Sequence, residues 1–379
     1  MKVRILTFLS MVLLVAACST GKKALEQGNY YQAIAQAVER LQRNPDSKKA
    51  TNTLRQGYPL AVKYYTEEIR QAEASTDPFR FEKVMDSYAT LNAMDDIIRR
   101  CPACRQAVPN TREYTRQYEM SRRSAAEARY QAGMTELQTE NRERAKDAYW
   151  HFERVEEILP GYKNAREMSI EALDAASLKV LVDVAPVPAR RYQLSSEFFA
   201  NKIYEYLNGP NINRFVRFYT PDEADRLRVT DPDHVIALQF DDFVVGETHI
   251  AQVTETVKRD SVNTGTVKVN GETVPVYGTV EAKLTRFTKT VSSRGLLDMQ
   301  VYDARTRRVL MQQKMPGEFN WTTQWANFQG DQRALSDQDI DLCELREAMP
   351  PNPQQLFVEF TRPIYDQVVG HIRRYYANY

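Results

Sequence analysis

The chain has 379 residues, 42% of them apolar, and carries 51 lysines and arginines against 50 aspartates and glutamates. The net charge of +1 gives none of the basic excess on which nucleic-acid binding rests. The length suits two domains with cores of their own.

Residues 1–17 have the makeup of a cleaved export signal. Lys2 and Arg4 form a basic start, Ile5–Val15 an apolar run, and Val15-Ala16-Ala17 a small-residue end. The run is shorter than the ~20 residues that a membrane-spanning helix needs, and its flanks are those of a signal peptide. Cys18 follows at once, and the arrangement resembles the bacterial lipobox. That resemblance implies cleavage before Cys18, diacylation of its thiol and acylation of the new amine. Without residues 1–17 the 51 basic residues lose Lys2 and Arg4, leaving 49 against 50 acidic. No other long apolar stretch follows, so the expected membrane anchor is lipid, and two or more acyl chains hold stably. Residues 18–21 read as lipidated terminus and linker. Ser19-Thr20-Gly21-Lys22-Lys23 has no aspartate at the second position, the residue that resembles an inner-membrane retention signal, and no acidic run. The expected location is therefore the outer membrane, facing the periplasm.

Residues 22–176 read as helical. Gly28-Asn29-Tyr30-Tyr31 leads through Ala33 and Leu41 to Asn44-Pro45, and Ala33 suits a place where two helix axes come close. Asp46-Ser47 can cap the next helix, which Pro59 kinks or starts in part. Asp77-Pro78 reads as a helix start, with a capping carboxylate followed by proline. Further helices run from Tyr114 towards Leu137, over Ala145–Pro160 with Ala148 and Phe152 inward, and over Tyr162–Ala176. This pattern of glycine turn, aromatic, inward alanine and closing proline resembles degenerate tetratricopeptide repeats. The resemblance implies a stack of helical hairpins with a groove for a partner peptide or subunit.

Residues 177–379 change period. Leu178–Val184 reads as a strand, Ser195–Leu207 as a helix, Phe215–Tyr219 as a strand and 222–228 as a short helix; His234–Val245 is a long strand whose character continues to Val257. Asn270-Gly271 suits a type I′ hairpin, which pairs Val269 with Glu272 and Val267 with Val274. Pro275 cannot donate to a ladder and predicts an edge. Leu296–Ala304 and Arg308–Met315 read as a second hairpin, and a last helix starts at Asn352-Pro353. The fold class expected for the whole is α + α/β: helical hairpins first, then a mixed β-sheet with flanking helices. The order of elements, with VLVDVAP, DPDHVIALQF and RGLLDMQVYDARTRRVL, resembles the fold of curli-secretion channel subunits and the TolB amino-terminal domain over roughly residues 178–376. That group implies secretion or envelope assembly. Its channel subunits insert apolar-banded hairpins into a membrane, whereas Arg259, Asp260, Glu281 and Lys283 charge the arms here.

Catalytic motifs are missing from the sequence: no G-x-S-x-G, H-E-x-x-H, phosphate-binding glycine-lysine loop or dinucleotide glycine fingerprint. No catalytic residue, metal ligand set or cofactor is expected, and the chain is not read as an enzyme; His234, Asp241, Asp242 and Cys343 are the groups an enzyme reading would have to use. Asp337, Asp339 and Asp341 start like a calcium loop, but Leu342 and Ala348 stand where its glycine and glutamate belong. Cys101-Pro-Ala-Cys104 follows a helical pattern and lacks the strand–helix setting of a redox motif; a local disulfide or a reduced pair in a helix–helix turn is expected. Pro316–Ser336 concentrates Trp321, Trp325, Phe328 and Arg333, side-chain types that dominate binding hot spots. Two readings stand: a partner-binding patch, or a latch folded back over the sheet. The functional expectation is a lipid-anchored adaptor or scaffold that binds a protein partner in envelope assembly, secretion or cell-wall-synthase regulation. The alternatives are an oligomeric secretion-channel subunit and an envelope enzyme.

Overall fold

The computed structural model describes residues 21–379 apart from Asn211 and Asn270, so Cys18 and the stretch expected to be an export signal lie outside the described residues. The chain divides into two compact units, the second beginning at Ser177. The α + α/β expectation holds: helices make the first half, and a five-stranded mixed sheet with helices makes the second.

The first unit contains α1 (Lys22–Glu26), α2 (Tyr30–Arg43), α3 (Lys48–Glu73), α4 (Arg80–Arg99), α5 (Pro102–Ala107), α6 (Thr115–Leu137), α7 (Arg142–Ile158) and α8 (Ala165–Ala176). Neighbours in sequence pack as hairpins: α2 on α3, α3 on α4, α6 on α7 and α7 on α8. Asn29 starts α2 by accepting the Gln32 N–H, and Asn141 starts α7 by accepting the N–H groups of Glu143 and Arg144. Each such cap is worth ~1 kcal/mol. Small residues set the spacing. Ala33 and Ala148 are fully buried, and a Cβ on Gly133 of α6 would stand 2.8 Å from the Phe152 ring of α7. Two local expectations need correction. Asp77 is spent on the Phe79 N–H, and α4 starts only at Arg80. Pro59 neither starts nor ends a helix but lies inside α3.

The second unit begins with β1 (Leu178–Val184), a 3-10 turn (Arg190–Tyr192), α9 (Gln193–Leu207), β2 (Val216–Tyr219) and α10 (Pro221–Leu227). It continues with β3 (His234–Val269), β4 (Glu272–Asp303), β5 (Val309–Gly330), a second 3-10 turn (Gln332–Ala334), α11 (Asp337–Glu344) and α12 (Pro353–Tyr376). The strand order is β2-β1-β3-β4-β5, parallel among the first three and antiparallel thereafter. Thr220-Pro221 opens α10 with a capping box to Glu223, and Asn352-Pro353 opens α12. One sheet face is apolar and lies under α9 and α12. Phe357, Phe360, Ile364, Val368 and Ile372 of α12 are all fully buried. At ~1.5–3 kcal/mol for each large apolar side chain, this helix is the main weight on the sheet. The opposite face is polar, with Asp241 paired to Lys314 and Asp298 accepting from Gln300 and Gln312.

The three antiparallel strands are far longer than the covered face. β3 has 36 residues, β4 has 32 and β5 has 22; ordinary strands have three to ten, and at ~3.3 Å per residue β3 spans about 120 Å. The hairpin register is the one the sequence predicts, Val269 opposite Glu272 and Val267 opposite Val274. Gly271 has a φ of 87°, as such a turn demands. Pro275 faces Thr266 on β3, while β5 pairs with β4 only from Ala282 inward, so Pro275 does sit on an edge.

Candidate functional site

The feature most suited to binding is the arm that β3, β4 and β5 make beyond the reach of α12. Glycines mark where the helix lies on the sheet. A Cβ on Gly317 would fall 2.3 Å from the Phe360 carbonyl oxygen, and one on Gly295, its partner across the ladder, 2.6 Å from the Phe360 ring. Outward of this point Trp321 pairs with Val291 and Trp325 with Phe287. The Trp325 and Phe287 rings stack at 5.3 Å and 8°. Residues of equal parity share a strand face, so both tryptophans lie on the side that α12 covers further in.

Phe328 has the other parity and packs with Val280, Ala282, Leu284 and Ala326 in a second small core under Leu335 and α11. Arg286 ties this lid down, donating to Asp339, which also accepts from Ser336. The Ser336 hydroxyl and the Arg286 guanidinium hold the Asp339 carboxyl below its ordinary range. Arg333 lies past the strand end, chelates Asp331 and donates to the Asn263 carbonyl. The structure thus sets Trp321 and Trp325 on one face of the arm and separates them from Phe328 and Arg333. The stretch expected as a latch or patch is an edge strand as far as Gly330. Its aromatics serve two faces, and the covering over the second core comes from α11 instead.

The remaining residues picked out in the sequence lie apart. Cys101 and Cys104 form a disulfide at the start of α5, buried in the helical core, a structural staple. Cys343 is half-buried beside the arm's small core, and burial pushes its thiol up. His234 is buried among Tyr375, Tyr376 and Tyr379, its Nδ1 3.2 Å from the Tyr376 hydroxyl. Asp241 is held by Lys314, and Asp242 is exposed. Asp337, Asp339 and Asp341 belong to α11 rather than to a loop. Among the described residues no three His, Cys, Asp or Glu are grouped to hold a metal, and no helix is long and apolar enough to cross a membrane.

The helical unit also holds a charged cluster that no sequence motif marks. Glu82 of α4 receives both Arg129 of α6 and Arg154 of α7. The Arg129 guanidinium covers the Phe79 ring at 3.6 Å and stands 3.3 Å from His151 Nδ1. Burial first, and then Arg129, hold the His151 imidazole below its ordinary value. The residues come from three separate helices, so no local spacing signals them. No protein-family model and no curated protein matches the chain.

Proposed function

We propose that the chain is a lipid-anchored adaptor of the bacterial cell envelope, held at the outer membrane through Cys18 and facing the periplasm. Its role is to hold a protein partner in envelope assembly, secretion or cell-wall-synthase regulation; it is not itself an enzyme. The observation that carries this reading is the arm. Its 36-residue strand β3 runs far past its own core and offers open backbone edges, which suit strand-addition recognition of another polypeptide. The stacked helical hairpins of the first unit add a second surface of the kind that repeat proteins use for partners.

The oligomeric secretion-channel reading draws support from the same long hairpin. Against it stand Lys258, Arg259, Asp260, Glu281 and Lys283 midway along the arm, where a membrane barrel needs an apolar band on its lipid face. The anchor is tested by labelling cells with a fatty-acid probe. The wild-type chain should incorporate label and fractionate with the outer membrane, and Cys18→Ala should do neither. Equal absence of label from both chains would overturn the lipoprotein reading.

A further inference from the structure

β3 is bonded on its outer side to β1 only from His234 to Leu238. Beyond that, among the described residues, no strand pairs with this edge. Open edges invite pairing with other chains, and proteins guard them with bulges, prolines and short strands. The guards here are unevenly placed. β3 is bulged between Phe240 and Asp242, Val245 and Glu247, Arg259 and Val262, and Asn263 and Gly265. The outer edge of β5 carries Pro316, and the open part of β4 carries Pro275. From Glu247 to Arg259, however, β3 keeps unbroken register with Ser292 through Val280 and has no proline or glycine. Residues 247–256 are exposed one after another on both faces, including Ile250 at 48% and Val253 at 60%.

The midpoint of this segment without bulge or proline is Val253, and the opposite charges of Glu247 and Arg259 stand equally far to either side of it. We propose that residues 247–259 pair antiparallel with the same residues of a second copy about a two-fold axis at Val253. Such an interface is isologous, so each contact occurs twice. Val253 faces Val253 of the second copy, Glu247 faces Arg259, Thr248 faces Lys258 and Ile250 faces Thr256. Facing residues share a sheet side, so each end of the interface gains an opposite-charge pair. Glu247 already accepts from Arg294, and Arg259 donates to the Leu335 carbonyl. A carboxylate has a second oxygen, and a guanidinium has further N–H groups, for these additional bonds. Pairing joins β3, β4 and β5 of the two copies into one continuous sheet and satisfies the edge between the bulges.

The test uses the full-length protein in detergent. Sedimentation should show a reversible dimer. In a Cys343→Ser background, Val253→Cys should give a covalent dimer on mild oxidation, whereas the background alone and Val257→Cys, which faces His249, should not. Glu247→Arg sets arginine against arginine at both ends and should weaken the dimer about tenfold. Adding Arg259→Glu to that variant should restore it. A chain that stays monomeric at every accessible concentration would overturn the proposal. So would cross-linking through Val257→Cys in place of Val253→Cys, or a dimer indifferent to the charge reversal.

Discussion

Gly317→Ala should loosen the helix that holds the second unit together. Gly317 lies on β5 opposite Gly295, and α12 rests on both. An alanine methyl at 317 would meet the Phe360 carbonyl oxygen at 2.3 Å and Ile364 Cγ1 at 2.6 Å. Real Cβ contacts do not approach so closely, and the first atom is helix backbone, which no rotamer change removes. α12 must shift, and Phe360 and Ile364, both fully buried, shift with it. Overpacking of this kind costs ~1–3 kcal/mol. The lower conformational entropy of alanine in the unfolded chain returns ~0.5–1 kcal/mol, so the net loss expected is about 1–2 kcal/mol. For a unit of roughly 200 residues that lowers the melting temperature by about 2–8 °C. Gly278→Ala is the control, because its methyl would meet only the Thr264 side chain, at 3.3 Å, and should change melting by less than about 1 °C. Calorimetry of the full chain reads both. A Gly317→Ala protein that melts with wild type, or a Gly278→Ala protein that loses as much, would refute the reasoning.

Three further outcomes follow from packing and charge. Ala148→Leu must push α7 away from its neighbours and should cost the helical unit ~1–3 kcal/mol, read as an earlier calorimetric transition, while exposed Asp147→Ala leaves it in place. Arg286→Ala leaves Asp339, whose side chain is only 9% exposed, without its cation. It should cost ~1–3 kcal/mol and speed the reaction of Cys343 with a thiol reagent as α11 lifts. His151 titrates below its ordinary value of 6.5 in the fold, so the unfolded chain takes up that proton first. The stability this contributes is present above about pH 6.5 and is lost as pH falls from there to the folded value. The drop in melting temperature between about pH 7.5 and pH 5.5 should therefore be smaller in His151→Gln than in wild type; equal drops would remove His151 from the account.

Much of the fold was legible because local chemistry and tertiary structure agree. Thr220-Pro221 and Asn352-Pro353 mark helix starts by capping, and the predicted pairing of Val267 with Val274 is the one made by a hairpin whose strands number 36 and 32 residues. The failures come where one local signal serves a different end. The strand read over Arg308–Met315 stops short of Pro316-Gly317, yet both lie within β5, and the glycine is there to admit α12. Asp77-Pro78 has the composition of a helix cap, but its carboxylate closes a turn one step earlier. Trp321, Trp325 and Phe328 look like one cluster because they are close in sequence. Strand alternation sends the first two and the third to opposite faces, and that separation is visible only once 319–330 is known to be extended. The cluster of Glu82, Arg129 and Arg154 needs three helices to meet, which no spacing along the chain reveals.

The central claim, an anchored adaptor with a protein partner, is tested most directly by photo-cross-linking in living cells. A photoreactive residue is placed in turn at exposed Met120, Trp150 and Ile170 of the helical unit and at Trp321 of the arm. Discrete heterologous adducts should recur at neighbouring positions and vanish when Cys18→Ala removes the anchor. Correctly localised, acylated protein that yields no discrete adduct from any of these positions would contradict it.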